Sequence, residues 1–281
     1  MEFITLKTIY YGSYISIPLI LFFIYKRYFI LIILFSLFIY MRFIEPQIIV
    51  VNEHTIKTGF KARYALIADL HLGVYNDEKI LIRVIEKVNN LNVDALLIAG
   101  DLLYQAEMKD IERMYLPLKK VNVPVYVVFG NHDYQNYQLK ERDKLENLFN
   151  KLKIHVITNK VEKLNDINIV GLGSYWFKDD NVKILNQFKE SDPVLILTHN
   201  PDTTYSIKRK KFMLLAGHTH GGQIRIPYLY KKIIPVKGDI LWDKGLYKYK
   251  KGQVFVTSGI GEIGLPLRFL VPPVIDILNF K

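Results

Sequence analysis

The chain contains no cysteine. That excludes disulfides, thiolate zinc sites, iron–sulfur clusters and cysteine nucleophiles together, and leaves histidine, carboxylate and amide groups to carry any metal chemistry. Glycine (16) and proline (11) are too few in 281 residues for a collagen-like or linker sequence. No internal repeat or low-complexity tract is present. With 50% apolar and 23% charged residues the chain has enough apolar surface to fold and is not intrinsically disordered. Its length allows one large domain or two smaller ones. A net charge of +11 admits nucleic acid, anionic lipid headgroups or a phosphorylated substrate as partners.

Charge is also missing from two stretches near the start. Ile9–Tyr25 (17 residues) and Tyr28–Met41 (14 residues) are uncharged and separated by Lys26-Arg27. Mean hydropathy is +0.12, high for a wholly soluble enzyme, and the apolar excess lies here. A spanning helix needs about 20 residues, with a lower limit near 17. A tight hairpin, a single span with an interfacial piece, and an export signal that faintly echoes a twin-arginine motif all fit. The absence of a small-x-small cleavage site argues against a removed signal peptide. Aromatic and β-branched residues cover every face, which argues against a buried soluble hairpin. The expectation is a membrane-anchoring segment over residues 1–45 and a folded domain over 46–281. The remainder stays basic, as suits work beside an anionic bilayer.

From Tyr64 onward, short Val/Ile/Leu runs alternate with amphipathic stretches, the pattern of βαβ units. Strands are expected at Tyr64–Ala68, Ala95–Ala99, Val125–Phe129, Ile167–Gly171, Val194–Leu197, Phe212–Leu215, Gln223–Ile226, Val254–Thr257 and Val274–Leu278. Helices are expected at Asp77–Leu91, Met108–Leu116, Leu139–Leu152 and Asn181–Lys189. The fold class is α/β, two packed sheets flanked by helices.

Five of these strands run into polar residues: Asp69-Leu70-His71, Gly100-Asp101, Gly130-Asn131-His132-Asp133, Thr198-His199-Asn200 and Gly217-His218-Thr219-His220. Ligands of open α/β sheets bind outside the carboxyl ends of strands. Asp, His and Asn offer oxygen and nitrogen donors suited to Mn, Fe, Zn or Ni. Alternation in Asp69-x-His71 and His218-x-His220 predicts that each pair points to one side of an extended chain. His54 and His155 lie outside these motifs and read as structural.

The order D-x-H, G-D, G-N-H-D, lone His, G-H-x-H resembles the calcineurin-like metallophosphoesterase superfamily over roughly residues 62–281. Gly217–Gln223 and Gly264–Phe269 are similar to bacterial membrane-associated phosphodiesterases, a branch that includes a UDP-2,3-diacylglucosamine pyrophosphatase of lipid A synthesis. The resemblance implies a four-layer α-β-β-α sandwich of two mixed sheets and two divalent metal ions, manganese first, with Fe, Zn, Ni or Mg as alternatives. It implies that Asp69, His71 and His220 hold one ion, that Asn131, His199 and His218 hold the other, and that Asp101 bridges them. His132 is expected to assist the leaving oxygen as a catalytic residue, with Asp133 orienting it. The run Asp101-Leu102-Leu103-Tyr104 departs from relatives that carry a second carboxylate there.

Arg268 and Asn200 are the expected substrate contacts, and the basic, apolar loop Ile224–Lys237 is expected to rest on an anionic membrane surface. The implied function is a membrane-anchored hydrolase of phosphodiesters or pyrophosphates, with a UDP-2,3-diacylglucosamine-type substrate as the sharpest form. Its expected place is the inner membrane with the catalytic part in the cytoplasm. A nuclease or nucleotide phosphodiesterase with the same metals, and an inactive scaffold, are the alternatives. No aromatic–basic interleaving marks a nucleic-acid groove, and no protein partner is indicated.

Overall fold

The computed structural model describes residues 16–26, 28–107, 109–135, 139–209, 211–250 and 252–281. Ile9–Ile15, Arg27 and Met108, named in the expectations above, lie outside them.

Two apolar helices come first: α1 (Ser16–Lys26) and α2 (Phe29–Ile39), broken at Tyr28 (φ −85°, ψ 70°) and lying against each other. Helical geometry continues beyond α2 through a π turn (Tyr40–Ile44) and a 3-10 turn (Glu45–Gln47). The run Phe29–Gln47 is therefore 19 residues, and it is the one helical stretch among the described residues long and apolar enough to cross a membrane. At 1.5 Å per residue it reaches about 28 Å. Phe29, Ile30, Ile33 and Leu34 are exposed on it. Its far end is different in kind. Arg42 and Glu45 are buried against the rest of the chain, Glu45 Oε1 accepting the Val271 N–H (2.6 Å) and the Met41 carbonyl accepting the Arg268 N–H (2.9 Å).

Then follow β1 (Val50–Ile56), β2 (Ala62–Ile67), the short β3 (Leu72–Gly73), α3 (Glu78–Asn89), β4 (Ala95–Ala99), the short β5 (Leu103–Tyr104), α4 (Ile111–Tyr115) and β6 (Val125–Val128). Helix α3 shows why local sequence suffices here. Asp77 caps it by accepting the Lys79 N–H (2.9 Å), and Ile80, Leu81, Val84, Ile85 and Val88 bury one face at helical spacing. Next come α5 (Asn131–Gln135), α6 (Leu139–Lys151), β7 (His155–Val156), β8 (Val161–Leu164), β9 (Ile167–Gly171), β10 (Val194–Leu197), β11 (Met213–Ala216), β12 (Gly245–Tyr249), β13 (Gly252–Val256) and β14 (Val274–Phe280).

The first sheet has the order β1-β14-β2-β4-β6-β7, with β14 antiparallel to β2 and the other pairs parallel. The second has the order β12-β13-β11-β10-β9-β8, antiparallel only at its two edges. Both sheets are mixed. Leu66, Leu97 and Val128 of the first meet Leu195, Leu197, Leu215 and Phe255 of the second in a buried layer. The outer face of the first sheet is covered by α3, α4 and α6 through Leu81, Val84, Met114 and Phe149. The outer face of the second carries no α-helix among the described residues. The expected helix Asn181–Lys189 is a 3-10 segment, Val182–Gln187, which with Pro201–Ser206 and Trp242 closes that side.

Gln223–Ile226 is not a strand. It follows a 3-10 turn, Gln223 has φ +47°, and Ile224 makes one isolated bridge with Phe269. Edge strands β1 and β12 are absent from the sequence expectations: β1 turns polar at the exposed Asn52 and Glu53, and β12 alternates exposed Leu246 and Lys248 with half-buried tyrosines, so neither is the continuous apolar run of a central strand.

Candidate metal centre

The carboxyl ends of β2, β4, β6, β10 and β11, drawn from both sheets, converge. The chain leaves the strands through left-handed backbone at non-glycine residues: Asp69 (φ +53°), His71 (+44°), Asp101 (+51°), His218 (+76°) and His220 (+50°). Each such residue costs of order 1 kcal/mol or more and persists because its surroundings hold it, so five together mark a functional locus. These angles correct the expectation of extended pairs. Glycine is needed where the loops touch: a Cβ on Gly130 would lie 2.2 Å from Asp101 Oδ1 and 2.4 Å from the Asp101 nitrogen.

Two groups of donor atoms result, all buried: Asp69, His71 and His220 in one, Asp101, His199 and His218 in the other. His218 and His220, two residues apart, serve different groups. In the first, His71 Nε2 lies 3.1 Å from His220 Nε2, and Asp69 Oδ1 is 3.5 Å from His220 Nε2 and 3.9 Å from His71 Nε2. In the second, His199 Nε2 is 3.1 Å from both Asp101 Oδ2 and His218 Nδ1. Asp101 Oδ2 also lies 3.6 Å from His71 Nε2, so this carboxylate stands between the groups.

The protons show what these groups are for. His199 Nδ1 is 2.8 Å from the Ala99 carbonyl, and His220 Nδ1 is 3.2 Å from the Gly261 carbonyl. A carbonyl only accepts, so each Nδ1 carries a hydrogen, and in the neutral ring each Nε2 turns a lone pair toward a carboxylate and another imidazole. Lone pairs facing anionic oxygens at such distances, away from water, call for a cation between them. A second ring nitrogen bonded to a backbone carbonyl is the usual orienting contact of a metal-ligating histidine.

Burial depresses His71 (to about 3), His218, His220 and His132, keeping their imidazoles neutral, and raises Asp69 to about 7. His199 departs from this: burial works against its charge, but the adjacent Asp101 carboxylate holds it up to about 9, so with no cation present its Nε2 carries a proton that a bound ion would displace. Asp101, pushed up by burial, is brought well below the ordinary carboxylate range by His199, His132 and His71.

The remaining expected residues fall in three places. His132 flanks the groups: its N–H donates to Asp101 Oδ1 (2.8 Å) and its ring meets His71 (5.3 Å) and Tyr104 (5.5 Å) edge-on. Asn131, buried, lines the same cavity as Asp101 and His218. Asn200 lies behind it. The Asn200 amide donates to Asn131 Oδ1 (3.2 Å) while its oxygen accepts from Ser174 (2.9 Å), which makes it a support for Asn131 and leaves it no free face for substrate.

Arg268 is also no substrate contact. It is fully buried, with its guanidinium donating to the carbonyls of Val271 (2.9 Å), Ser258 (3.1 Å) and Gly261 (2.6 Å), the last being the carbonyl that His220 uses. Asp133 does not orient His132. Its carboxylate accepts from the backbone N–H groups of Leu102 (2.9 Å), Leu103 (3.1 Å) and Gly130 (2.8 Å), tying two strand-end loops together. His54 (2.9 Å from Asp276) and His155 (stacked on Tyr126) lie elsewhere in the first sheet.

A cavity of about 440 Å³ opens on the groups, walled by Asp101, Asn131, His132, His218 and His220 on one side and by Trp176, Gln223, Ile233, Pro235 and Ile263 on the other. Sequence reasoning missed this second wall. Trp176, edge-on to His218 at 4.5 Å, lies just past the end of β9, a sixth strand end whose lack of charged residues hid it. Tyr104, at the end of the run Asp101-Leu102-Leu103-Tyr104 that departs from relatives, packs on His71 (5.6 Å).

Residues 62–222 match the family described as calcineurin-like phosphoesterase. The chain belongs to that family. As a metallophosphoesterase it is similar to an uncharacterized metallophosphoesterase of Helicobacter pylori, 30% identical over 79% of this chain, although the chain spans only 60% of that relative's length. It is also similar to the UDP-2,3-diacylglucosamine pyrophosphatase LpxG of Chlamydia muridarum (25% identical, covering 77% of this chain and 83% of that one). The phosphodiesterase YaeI of Escherichia coli is 27% identical, with 82% and 88% covered.

Proposed function

We propose that the protein is a membrane-anchored two-metal hydrolase of phosphodiester or pyrophosphate bonds, with UDP-2,3-diacylglucosamine as the specific substrate. The observation that carries the hydrolytic reading is the set of buried His Nε2 lone pairs, fixed by the Ala99 and Gly261 carbonyls, that face Asp69 and Asp101. On this reading Asp69, His71 and His220 hold one divalent ion, Asn131, His199 and His218 the other, and Asp101 serves both. Bound there, the ions, manganese in the first instance, supply Lewis acidity toward phosphoryl oxygens and activate water at neutral pH.

The chain's own groups do the rest. His132, on the cavity wall beside Asp101, protonates the leaving oxygen; burial keeps its imidazole neutral at rest, so it first takes up a proton, such as the one the activated water releases. Asp133 and Asn200 hold the loops that carry Asp101 and Asn131. Trp176, Ile233, Pro235 and Ile263 give the cavity an apolar wall, suited to a substrate with an apolar part. The sandwich is completed by a fourth layer of 3-10 turns. The helical run Phe29–Gln47 anchors the chain in the cytoplasmic membrane, with the catalytic part in the cytoplasm.

The likeness to LpxG and the anchor support the lipid substrate. The test is manganese-dependent hydrolysis of UDP-2,3-diacylglucosamine in detergent beside bis-p-nitrophenyl phosphate. Much faster turnover of the lipid nucleotide is the expected result. Hydrolysis of the chromogenic diester alone would keep the two-metal site and discard the substrate, and faster turnover of DNA or cyclic nucleotides would replace it.

A further inference from the structure

The rim of the cavity carries apolar side chains that the catalytic site does not use. In the loop after the G-H-x-H motif, Ile226 (42% exposed), Tyr228 (87%), Leu229 (56%) and Ile233 (61%) face solvent. Leu265 (46%) and Leu270 (56%) do so in the loop before β14. Single exposed apolar residues are ordinary, but a contiguous set is not. The two loops that carry these are joined to each other. Ile224 bridges to Phe269, the Arg225 N–H donates to the Phe269 carbonyl (2.9 Å), and Gln223 Nε2 donates to the carbonyls of Ile263 and Leu265 (2.9 Å each).

The strip continues into the apolar helix. The Arg268 N–H donates to the Met41 carbonyl and the Val271 N–H to Glu45, which places Leu270 beside the helix end, where Ile44 (47%) and Ile48 (43%) are exposed. Its exposed charge is mostly basic. Residues 221–237 contain no acid and Lys231, Lys232 and Lys237 are exposed, while Asp243 is neutralised by Arg225 (3.0 Å) and Glu45 at the helix end is buried.

We infer that this strip is a second membrane contact: the rim loops 224–233 and 264–270 rest in the interface of an anionic bilayer, continuous with the helix Phe29–Gln47. The inference rests on the membrane-anchored reading above and deepens it. Aromatic and aliphatic side chains enter the headgroup region while lysines meet anionic lipid, the division of labour of an interfacial segment. The docked helix end fixes the tilt of the catalytic part, and because Ile233 belongs to both rim and cavity wall, and Ile263 of the wall immediately precedes the second rim loop, the cavity mouth faces the bilayer. A substrate with acyl chains then enters from the membrane without crossing water.

The lack of native cysteine makes the test direct. Tyr228→Cys, Leu270→Cys, Ile33→Cys and Asp166→Cys, the last in the β8–β9 hairpin at the opposite end of the strands, each give the full chain one spin-label site. The labelled chain is reconstituted in phosphatidylcholine–phosphatidylglycerol vesicles, and accessibility to oxygen and to chromium oxalate is measured. Labels at 228 and 270 are expected to show several-fold more oxygen and several-fold less chromium oxalate contact than the label at 166. Water-like values at 228 and 270 with a lipid-exposed label at 33 would overturn the surface and keep the anchor. Shielding from both reagents at 228 would put protein over the strip and overturn it as well. A water-like label at 33 with lipid-exposed labels at 228 and 270 would fault the anchor and support the surface.

Discussion

The two donor groups are held by different parts of the molecule. His199, in the group around Asp101, and Asn131, beside it in the cavity wall, are fixed from within the sheets, through the Ala99 carbonyl at the end of β4 and the chain Ser174–Asn200–Asn131. The group around Asp69 leans on the C-terminal loop: His220 is oriented by the Gly261 carbonyl, which Arg268 also grips, and Arg268 in turn bonds the end of the apolar helix. One half of the centre is therefore held by the strands, while the other is built partly on the loop bonded to the end of the apolar helix. Disturbance at the apolar helix should reach the Asp69 group first.

The sharpest break of this contrast is Asp101, which faces both groups. Asp101→Ala should lose both ions and drop hydrolysis of bis-p-nitrophenyl phosphate to background, as read by metal analysis and initial rates; retained activity would refute its bridging place. Next, His132→Ala should keep both ions and lower kcat by about 10²–10⁴-fold, the usual worth of a positioned general acid. Metal loss in that variant would make His132 a ligand and not a proton donor.

The contrast itself is tested by a pair of supporting residues. Asn200→Ala should weaken the ion at the Asp101 group, and Arg268→Met the ion at the Asp69 group, each by about 10- to 100-fold, as orienting contacts commonly do. Titration calorimetry with manganese on both variants, with thermal unfolding as a check on folding, would show whether the two losses fall on different ions. If both substitutions weaken the same ion, the division of support is wrong. Smallest of all, Glu45→Gln keeps an acceptor for the Val271 N–H but removes the charge facing Arg268. It should cost about 1 kcal/mol in denaturant unfolding, with the affinity of the Asp69 group shifted more than that of the other.

Much of this was legible in the sequence because it is local. Strand and ligand are adjacent in the chain, so Ala95–Ala99 followed by Asp101, or Val194–Leu197 followed by His199, announces itself. What was not legible depends on residues far apart. Arg268 has the chemistry of a phosphate clamp, and only the placement of Ser258, Gly261 and Val271 around it shows that both its terminal nitrogens are bonded inside the protein. Asn200 and Asp133 were misread in the same way: adjacency to a ligand implied contact with substrate or with His132, while their bonds run to loops about 30 to 70 residues away. The Asn181–Lys189 stretch has helical composition but lies against the second sheet as 3-10 turns, a case of packing overriding propensity.

The account stands or falls on two ions at the strand ends. Crystals of the full chain grown with manganese, measured for anomalous scattering at the manganese edge, test it most directly. Two peaks are predicted, one enclosed by Asp69, His71 and His220 and one by Asn131, His199 and His218, with Asp101 touching both. A single peak, or peaks away from these side chains, would contradict it.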